Sequence, residues 1–220
     1  MELESMRLKA LVLNCTLKKS PETSNTEALI NETLKFFDKE GVPTEVLRLA
    51  DYNIAHAMKV DAGEGDDWPK IHRKVLDADI LIVATPIWMG EKSSYATKAI
   101  ERIYAGSSDT NDKGQYIYYN KVAGAIVTGN EDGAKDSAKS ILYGLGHMGF
   151  TIPPNVDTYW VGQAGPGPSF IEAEGQKNSF TMQHAKIMAY NLIHFARMFK
   201  QKPIPSEGTV IDQDKQNVDK

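Results

Sequence analysis

Short, almost continuously apolar segments alternate with amphipathic segments along most of this chain, and this alternation limits the folds open to it. Residues 79–84 are the clearest example, because every residue after Asp79 is apolar. Such segments are typical of strands buried on both faces in a parallel sheet. The segments between them repeat apolar residues at helical spacing, as with Ile30, Leu34 and Phe37. The pattern predicts an α/β protein with helices on both faces of its sheet.

The predicted strands and helices alternate from the start of the chain to about residue 199. Strands are expected at residues 8–13, 43–49, 79–84 and 122–127, and in the later part of 151–160. Helices are expected at about 26–38, 68–76, 95–103, 134–145 and 182–199. Residues 1–200 therefore form one predicted domain, interrupted by polar insertions at 105–120 and 161–178. Residues 201–220 are expected to be a disordered tail, because Pro, Gly, Gln and charged residues prevail there without periodicity.

Composition and charge exclude several classes of function. The 220 residues carry a net charge of −4 without a dense basic cluster, so we expect no nucleic-acid partner. No apolar run approaches the roughly 20 residues of a membrane span, and residues 1–9 lack the apolar core of a secretory signal. A cytoplasmic protein with no membrane partner is expected. One cysteine, and five histidines without ligand spacing, predict neither a disulfide nor a metal site.

The segment after the first strand is unusually polar. Residues 14–26 contain three threonines, two serines and two lysines just before a helix. Hydroxyls, backbone N–H groups and the helix dipole stabilise a phosphate dianion there, and Lys18 adds a point charge. Ligands of open parallel sheets bind beyond the carboxyl ends of the strands, which favours a phosphate site. In the alternative, Ser24, Asn25 or Thr26 only caps the helix.

The same segment disfavours other phosphate chemistries. It is neither the glycine-rich dinucleotide fingerprint nor the Gly-Lys-Ser or Gly-Lys-Thr loop of nucleotide hydrolases. A low-molecular-weight protein tyrosine phosphatase would place its nucleophilic cysteine near Cys15, but Pro21 stands where its arginine should follow. No arginine occurs between Arg7 and Arg48. Cys15 is therefore expected to be a small buried residue.

The loop after the third strand, residues 85–94, reads Thr-Pro-Ile-Trp-Met-Gly-Glu-Lys-Ser-Ser. Trp88 can cover a flat apolar ring, while the backbone N–H groups of Met89 and Gly90 can reach a polar ring edge. The alternative is that Trp88 and Met89 are ordinary packing residues. A Pro, an aromatic and a Gly here, followed by Ser and an amphipathic helix, resemble the isoalloxazine-binding loop of flavodoxin-like NAD(P)H-dependent FMN reductases and their quinone-reductase relatives.

The loop after the fourth strand, residues 128–133, reads Thr-Gly-Asn-Glu-Asp-Gly. It resembles the third flavin-contacting loop of the same family, and its two glycines allow close approach of the backbone. Asn130 and Asp132 would also serve as an ordinary helix cap. Both roles are compatible.

The resemblance covers roughly residues 8–200. It implies a flavodoxin-like three-layer α/β/α sandwich with a five-stranded parallel sheet of order 2-1-3-4-5. It also implies an FMN cofactor, NADPH or NADH as hydride donor, a small-molecule electron acceptor (a quinone, flavin or nitroaromatic), and a homodimer or homotetramer. No residue is assigned a catalytic role, because the flavin performs the chemistry. By position, the resemblance assigns the FMN phosphate to Thr16, Lys18, Ser24, Asn25 and Thr26, and the ring to Pro86, Ile87, Trp88, Met89, Gly90, Thr128, Gly129, Asn130, Glu131, Asp132 and Gly133.

Some features depart from the family pattern. Cys15 and Thr16 stand where the family often has Gly-Ser. Short flavodoxins lack the loop at residues 161–170, which either rims the active site, contacts a second subunit or is a surface connector. Two other functions remain open, namely a flavodoxin-type electron carrier, which the modest net charge disfavours, and a flavin-free regulatory module.

Overall fold

The computed structural model describes residues 7–163, 165 and 167–211, and it places a parallel sheet between two layers of helices. The strands are β1 (Ala10–Asn14), β2 (Thr44–Arg48), β3 (Ile80–Trp88), β4 (Glu91–Lys92), β5 (Val122–Gly129) and β6 (Asp157–Val161). The helices are α1 (Asn25–Lys39), α2 (Trp68–Asp77), α3 (Ser94–Tyr104), α4 (Ala134–His147) and α5 (Ser179–Gln201). The predicted alternation of strands and helices is confirmed.

The sheet has the strand order β2-β1-β3-β5-β6, with all five strands parallel. This confirms the predicted order 2-1-3-4-5, because β4 only pairs antiparallel with the end of β3. The register sets Asn14 beside Ala84, and Pro86 beside Thr128. The carboxyl ends of β1, β3 and β5 therefore meet at one edge of the sheet.

Each face of the sheet has its own apolar core. Leu11 and Leu13 of β1 face α2, α3 and α4, whereas Ala10 and Val12 face α1 and α5. This alternation follows from the two-residue period of a strand. Because both faces are covered, the strands are apolar without a break.

The end of β3 differs from the sequence prediction. The strand continues past Ala84 to Trp88, and a two-residue turn at Met89 and Gly90 joins it to β4. Both turn residues have positive φ, 51° and 81°, as a type I′ hairpin turn requires. Methionine is unusual at such a position, so residues 85–94 were expected to be a loop.

The first part of the expected tail packs against the 105–120 insertion. The amide nitrogen of Gln115, which is fully buried, lies 2.7 Å from Thr209 Oγ1 and 3.2 Å from Ile204 O. Ile204 N–H also donates to Asn120 Oδ1 at 2.7 Å. The side-chain amides of Gln115 and Asn120 thus give hydrogen-bond partners to this part of the tail, which composition does not reveal. Residues 1–6 and 212–220 lie outside the described part.

None of the helices in the described part of the chain combines the length and apolarity that a membrane crossing requires. Within the same residues, no group of three or more His, Cys, Asp or Glu side chains is placed to hold a metal ion.

Candidate active site

A cleft of about 300 Å³ opens at the edge where β1, β3 and β5 end. Most of the residues predicted to bind a cofactor line it. They are Thr16, Lys18, Ser24, Asn25, Thr26, Pro86, Ile87, Trp88, Thr128, Gly129, Asn130 and Glu131. The other predicted residues, Met89, Gly90, Asp132 and Gly133, do not line the cleft. The three loops thus converge, as strand ends at one edge of a parallel sheet should.

The N-terminus of α1 forms one end of the cleft. Ser24 is the N-cap, and its hydroxyl accepts the Glu27 N–H at 3.2 Å, so it caps the helix and lines the cleft at once. Thr26 Oγ1 lies 2.8 Å from Thr128 Oγ1, which joins the first loop to the third. Hydroxyls at a helix N-terminus suit a phosphate dianion.

Lys18 contributes a positive charge to the same end. Its Nζ lies 3.0 Å from Thr23 O, so the side chain bridges its own loop. The Lys18 side chain is exposed at the edge of the cleft.

Cys15 lies at the end of β1 but is not a nucleophile. Its side chain is fully buried, and its Sγ lies 3.5 Å from Leu13 O. Burial raises the pKa of the Cys15 thiol far above its ordinary value, so the neutral form prevails. The backbone carbonyl of Cys15, rather than its thiol, makes a contact between loops, because it accepts a hydrogen bond from Ser93 Oγ at 2.7 Å. The predicted buried role of Cys15 agrees with this geometry.

The β3–β4 hairpin supplies an aromatic wall. Trp88 lines the cleft with 54% of its surface exposed. The expectation that the Met89 N–H reaches a bound ring differs from the structure, since it donates to Glu131 Oε1 at 2.9 Å. Sequence could not show this contact, because its partners belong to different loops.

The hairpin turn also lies very close to the third loop, at Gly90 and Gly133. Gly133 has a φ of 122°, and a Cβ there would lie 2.2 Å from Gly90 O. Only glycine at position 133 allows the two loops to approach this closely.

The 161–170 loop lies along the rim of the cleft, which agrees with one of its expected roles. Its backbone bonds the third loop through Gly162 N to Gly129 O and Gly165 N to Asn130 O, both at 3.0 Å. Asn130 Nδ2 also donates to Gly167 O at 3.0 Å. Positions 164 and 166 lie outside the described residues.

Asn25 holds the far end of the same rim. Its Oδ1 accepts the N–H of Ile171 at 3.0 Å. The side chains of both predicted asparagines, at positions 25 and 130, thus organise the rim as well as line the cleft.

Four lining residues were not among the predicted cofactor ligands. They are Leu17, Trp160, Ser169 and Phe170. The rings of Trp160 and Phe170 pack edge-to-face with centroids 5.6 Å apart. The aromatic pair Tyr159-Trp160 before a Gly- and Pro-rich loop was the available signal, but only the fold brings Phe170 back to it.

The donors and walls of this cleft fit a flavin phosphate. The polar end has hydroxyls and a helix N-terminus, while Trp88, Trp160 and Phe170 provide aromatic surface. A flat ring with a phosphate on a flexible chain needs this combination.

Comparison with known proteins agrees with that geometry. Residues 8–164 match the model of the family described as NADPH-dependent FMN reductase. The chain belongs to this family. Membership in the NADPH-dependent FMN reductase family confirms the resemblance found in the sequence and supports an FMN-binding oxidoreductase.

Two curated relatives align with nearly the whole chain. The chain is 44% identical to a Mycobacterium bovis protein named divalent metal cation transporter MntH, over 93% of this chain but only 31% of that protein's length. It is 39% identical to the 8-demethyl-8-aminoriboflavin-5'-phosphate synthase of Streptomyces davaonensis, over 92% of this chain and 82% of the synthase.

Solved structures show the same fold. RosB, determined with the bound intermediate 8-demethyl-8-formylriboflavin-5'-phosphate, has a TM-score of 0.85 and 37% identity, covering 97% of this chain and 88% of RosB. An NAD(P)H:quinone oxidoreductase from Methanothermobacter marburgensis has a TM-score of 0.59 at 16% identity, covering 84% of this chain and 99% of that one, and bears on the fold alone. A flavodoxin from the domain Archaea, with a TM-score of 0.55 at 13% identity over 86% of this chain and 99% of that one, confirms that the fold is flavodoxin-like.

Proposed function

We propose that this protein binds FMN in the cleft and passes a hydride from NADPH or NADH to a small acceptor such as a quinone, a flavin or a nitroaromatic. The half-exposed indole of Trp88 carries this proposal. It provides a flat wall that remains open to solvent, where a second planar molecule can approach a bound ring. Membership in the NADPH-dependent FMN reductase family supports the choice of donor.

The chain's own residues bind and orient the cofactor in this proposal. Ser24 and Thr26 at the start of α1 hold the phosphate and Trp88 covers one face of the ring, while the nearly buried rings of Trp160 and Phe170 add apolar lining to the cleft. Bound FMN supplies the hydride chemistry. The protein needs no acid or base of its own for this reaction.

Absorbance spectroscopy tests the cofactor and the reaction together. Protein mixed with FMN is titrated without oxygen with NADPH or NADH, and free FMN at the same concentration is the control. We expect bound-flavin bands that bleach with a nicotinamide much faster than the control and return when a quinone is added. Bands that form but do not bleach would support the electron carrier, and a protein that binds no FMN would support the flavin-free module.

A second candidate function is the conversion of a riboflavin phosphate, which would make the flavin the substrate. The chain's similarity to a riboflavin-phosphate enzyme favours it. The chain is 39% identical to a protein named 8-demethyl-8-aminoriboflavin-5'-phosphate synthase. The solved structure of RosB, which holds the intermediate 8-demethyl-8-formylriboflavin-5'-phosphate, matches this chain with a TM-score of 0.85. A cleft that binds FMN would serve either function.

Mass spectrometry separates the two candidates. The protein is incubated in air with FMN and a mixture of amino acids. The flavin is then released, and its mass is measured. The reductase returns FMN of unchanged mass, whereas flavin conversion yields a flavin altered at position 8. Heat-denatured protein is the control for non-enzymatic change.

The partners and cellular location are proposals of the same kind. We expect a homodimer or homotetramer, which light scattering on the purified protein tests. We expect no nucleic-acid or membrane partner. We also propose a cytoplasmic location, which cell fractionation tests.

A further inference from the structure

The loop between β1 and α1, residues 15–24, is buried only at its two ends, at Cys15, Thr16 and Ser24. Residues 17–23 are all exposed, so no side chain in this stretch is buried in either core. Inside the loop, Lys18 Nζ bonds Thr23 O, and Glu22 N–H donates to Lys19 O at 2.9 Å. A polar loop of this kind needs contacts from other elements to keep one conformation.

β2 lies next to this loop and provides those contacts. In the sheet, Asn14 of β1 pairs with Arg48 at the carboxyl end of β2, and a short turn, Leu49–Asp51, follows. None of residues 44–51, all of which the structure describes, lines the cleft. Any effect of Arg48 or Asp51 on the cleft must therefore pass through the loop or through the first turn of α1.

Asp51 binds the middle of the loop with both carboxylate oxygens. Its Oδ2 accepts the Ser20 hydroxyl at 2.6 Å, and its Oδ1 accepts the Ser20 backbone N–H at 2.8 Å. These hydrogen bonds from the Ser20 hydroxyl and then its N–H lower the pKa of Asp51. At neutral pH the carboxylate is ionised and holds Ser20.

Arg48 binds the end of the loop. Its guanidinium donates to Glu22 O at 2.8 Å and pairs with the Glu27 carboxylate on the first turn of α1. The Arg48 side chain is only 7% exposed. One buried guanidinium thus joins the loop to the helix whose N-terminus lines the cleft.

We propose that Arg48 and Asp51 are positioning residues that hold the 15–24 loop in the conformation that receives the 5'-phosphate of the flavin. This inference rests on the proposed FMN site. The loop itself contains no arginine, and β2 supplies one that binds the loop's backbone instead of the phosphate. Binding of the phosphate then depends on two residues that do not touch it.

Comparing FMN with riboflavin isolates the phosphate, because the two ligands differ only in that group. The Kd of each is measured by fluorescence titration for wild type, Asp51→Ala and Arg48→Met. Loss of these hydrogen bonds should raise the Kd for FMN about tenfold and leave the Kd for riboflavin unchanged. Asp51→Asn keeps one oxygen acceptor for Ser20 and should recover part of the preference for FMN.

Glu45→Gln is the matched control. Glu45 lies on the same strand, but its carboxylate pairs with Lys74 rather than with the loop. The control should keep the wild-type ratio of the two Kd values. Asp51 is exposed, so its variants keep the test available if Arg48→Met fails to fold.

The other outcomes overturn the proposal in different ways. An unchanged ratio in Asp51→Ala, or an equal loss of both flavins, would mean that these residues do not act through the phosphate. Equal Kd values of the wild type for FMN and riboflavin would contradict the proposed phosphate site but not the proposed ring site. A wild type that binds neither flavin would overturn the proposed function as well.

Discussion

Trp88 combines a place in the cleft with an exposed fraction of 54%, which makes its effect on binding separable from its effect on stability. We expect Trp88→Ala to weaken FMN binding and slow turnover about five- to tenfold, because ring stacking contributes about 1 kcal/mol. The free energy of unfolding should change little. Titration and urea denaturation test the two halves of this prediction.

Two further variants make the Trp88 prediction specific. Trp88→Phe keeps a flat ring and should retain most of the affinity. Tyr143→Ala removes another exposed aromatic, on α4 and outside the cleft lining, and should have no effect. An FMN affinity and a rate unaltered in Trp88→Ala would contradict the assigned role.

At Glu131, substitutions can separate the effect of the hydrogen bond from the effect of the negative charge. Its carboxylate accepts the Met89 N–H, so Glu131→Ala frees the hairpin tip and should raise the Kd for FMN about fivefold, the value of one hydrogen bond. Glu131→Gln retains an oxygen acceptor and should bind FMN almost as wild type does. If both variants lose affinity equally, the negative charge matters rather than the hydrogen bond.

At the scale of elements, the β3–β4 hairpin depends on close packing against the start of α4. Gly133→Ala would place its Cβ 2.2 Å from Gly90 O at a positive φ, so the backbone must move. We expect a loss of about 3 kcal/mol in the free energy of unfolding. Gly63→Ala, at a φ of 101° with open space around it, should lose only about 1 kcal/mol. Equal losses in urea denaturation would show that strain alone, and not packing, sets the cost.

The elements themselves were largely predictable, whereas their extensions were not. Apolar runs and helical spacing located β1, α1 and β5 within a few residues. This was possible because apolar residues recur in the sequence wherever a strand or one face of a helix is buried. Residues 85–86 extend β3 by pairing with β5, and Ile87 and Trp88 extend it by pairing with β4. The pairing with β4 requires a positive φ at Met89, and no local pattern predicts that backbone conformation for a methionine.

At the scale of the whole molecule, a buried ion pair ties a long connection to the helical layer. Arg102 of α3 and Asp66 have side chains only 1% and 2% exposed, and their charged atoms lie 2.7 Å apart. Burial alone would raise the pKa of Asp66, but hydrogen bonds from Arg102 and from three backbone N–H groups outweigh it and lower the pKa to about 2.

This pair predicts how stability depends on pH. Because the folded pKa lies below the ordinary value, the stabilisation is complete above about pH 4 and is lost as the pH falls toward 2. Asp66→Asn should flatten this acid dependence and cost about 3 kcal/mol at neutral pH, because it leaves Arg102 buried without its partner.

Urea denaturation across this pH range provides the measurement, with Asp136→Asn as the control. Asp136 pairs with Lys139 on the exposed surface, where solvent screens the pair, so its loss should leave the unfolding free energy almost unchanged. An acid dependence unchanged in Asp66→Asn would contradict the role of the buried pair.

The amino-acid sequence was sufficient to predict the succession of strands and helices along the chain, because burial and secondary structure leave local periods. Its loop motifs indicated the family, and that resemblance implied the strand order and the three loops that meet at one sheet edge. Tertiary structure alone decided which distant side chains meet, as in Thr26 with Thr128, Asn25 with Ile171 and Arg48 with Glu22. Such contacts depend on register and on how each element is rotated against its neighbours. Neither leaves a period in the chain, so the rim of the cleft and the support of its first loop emerged only from the packed fold.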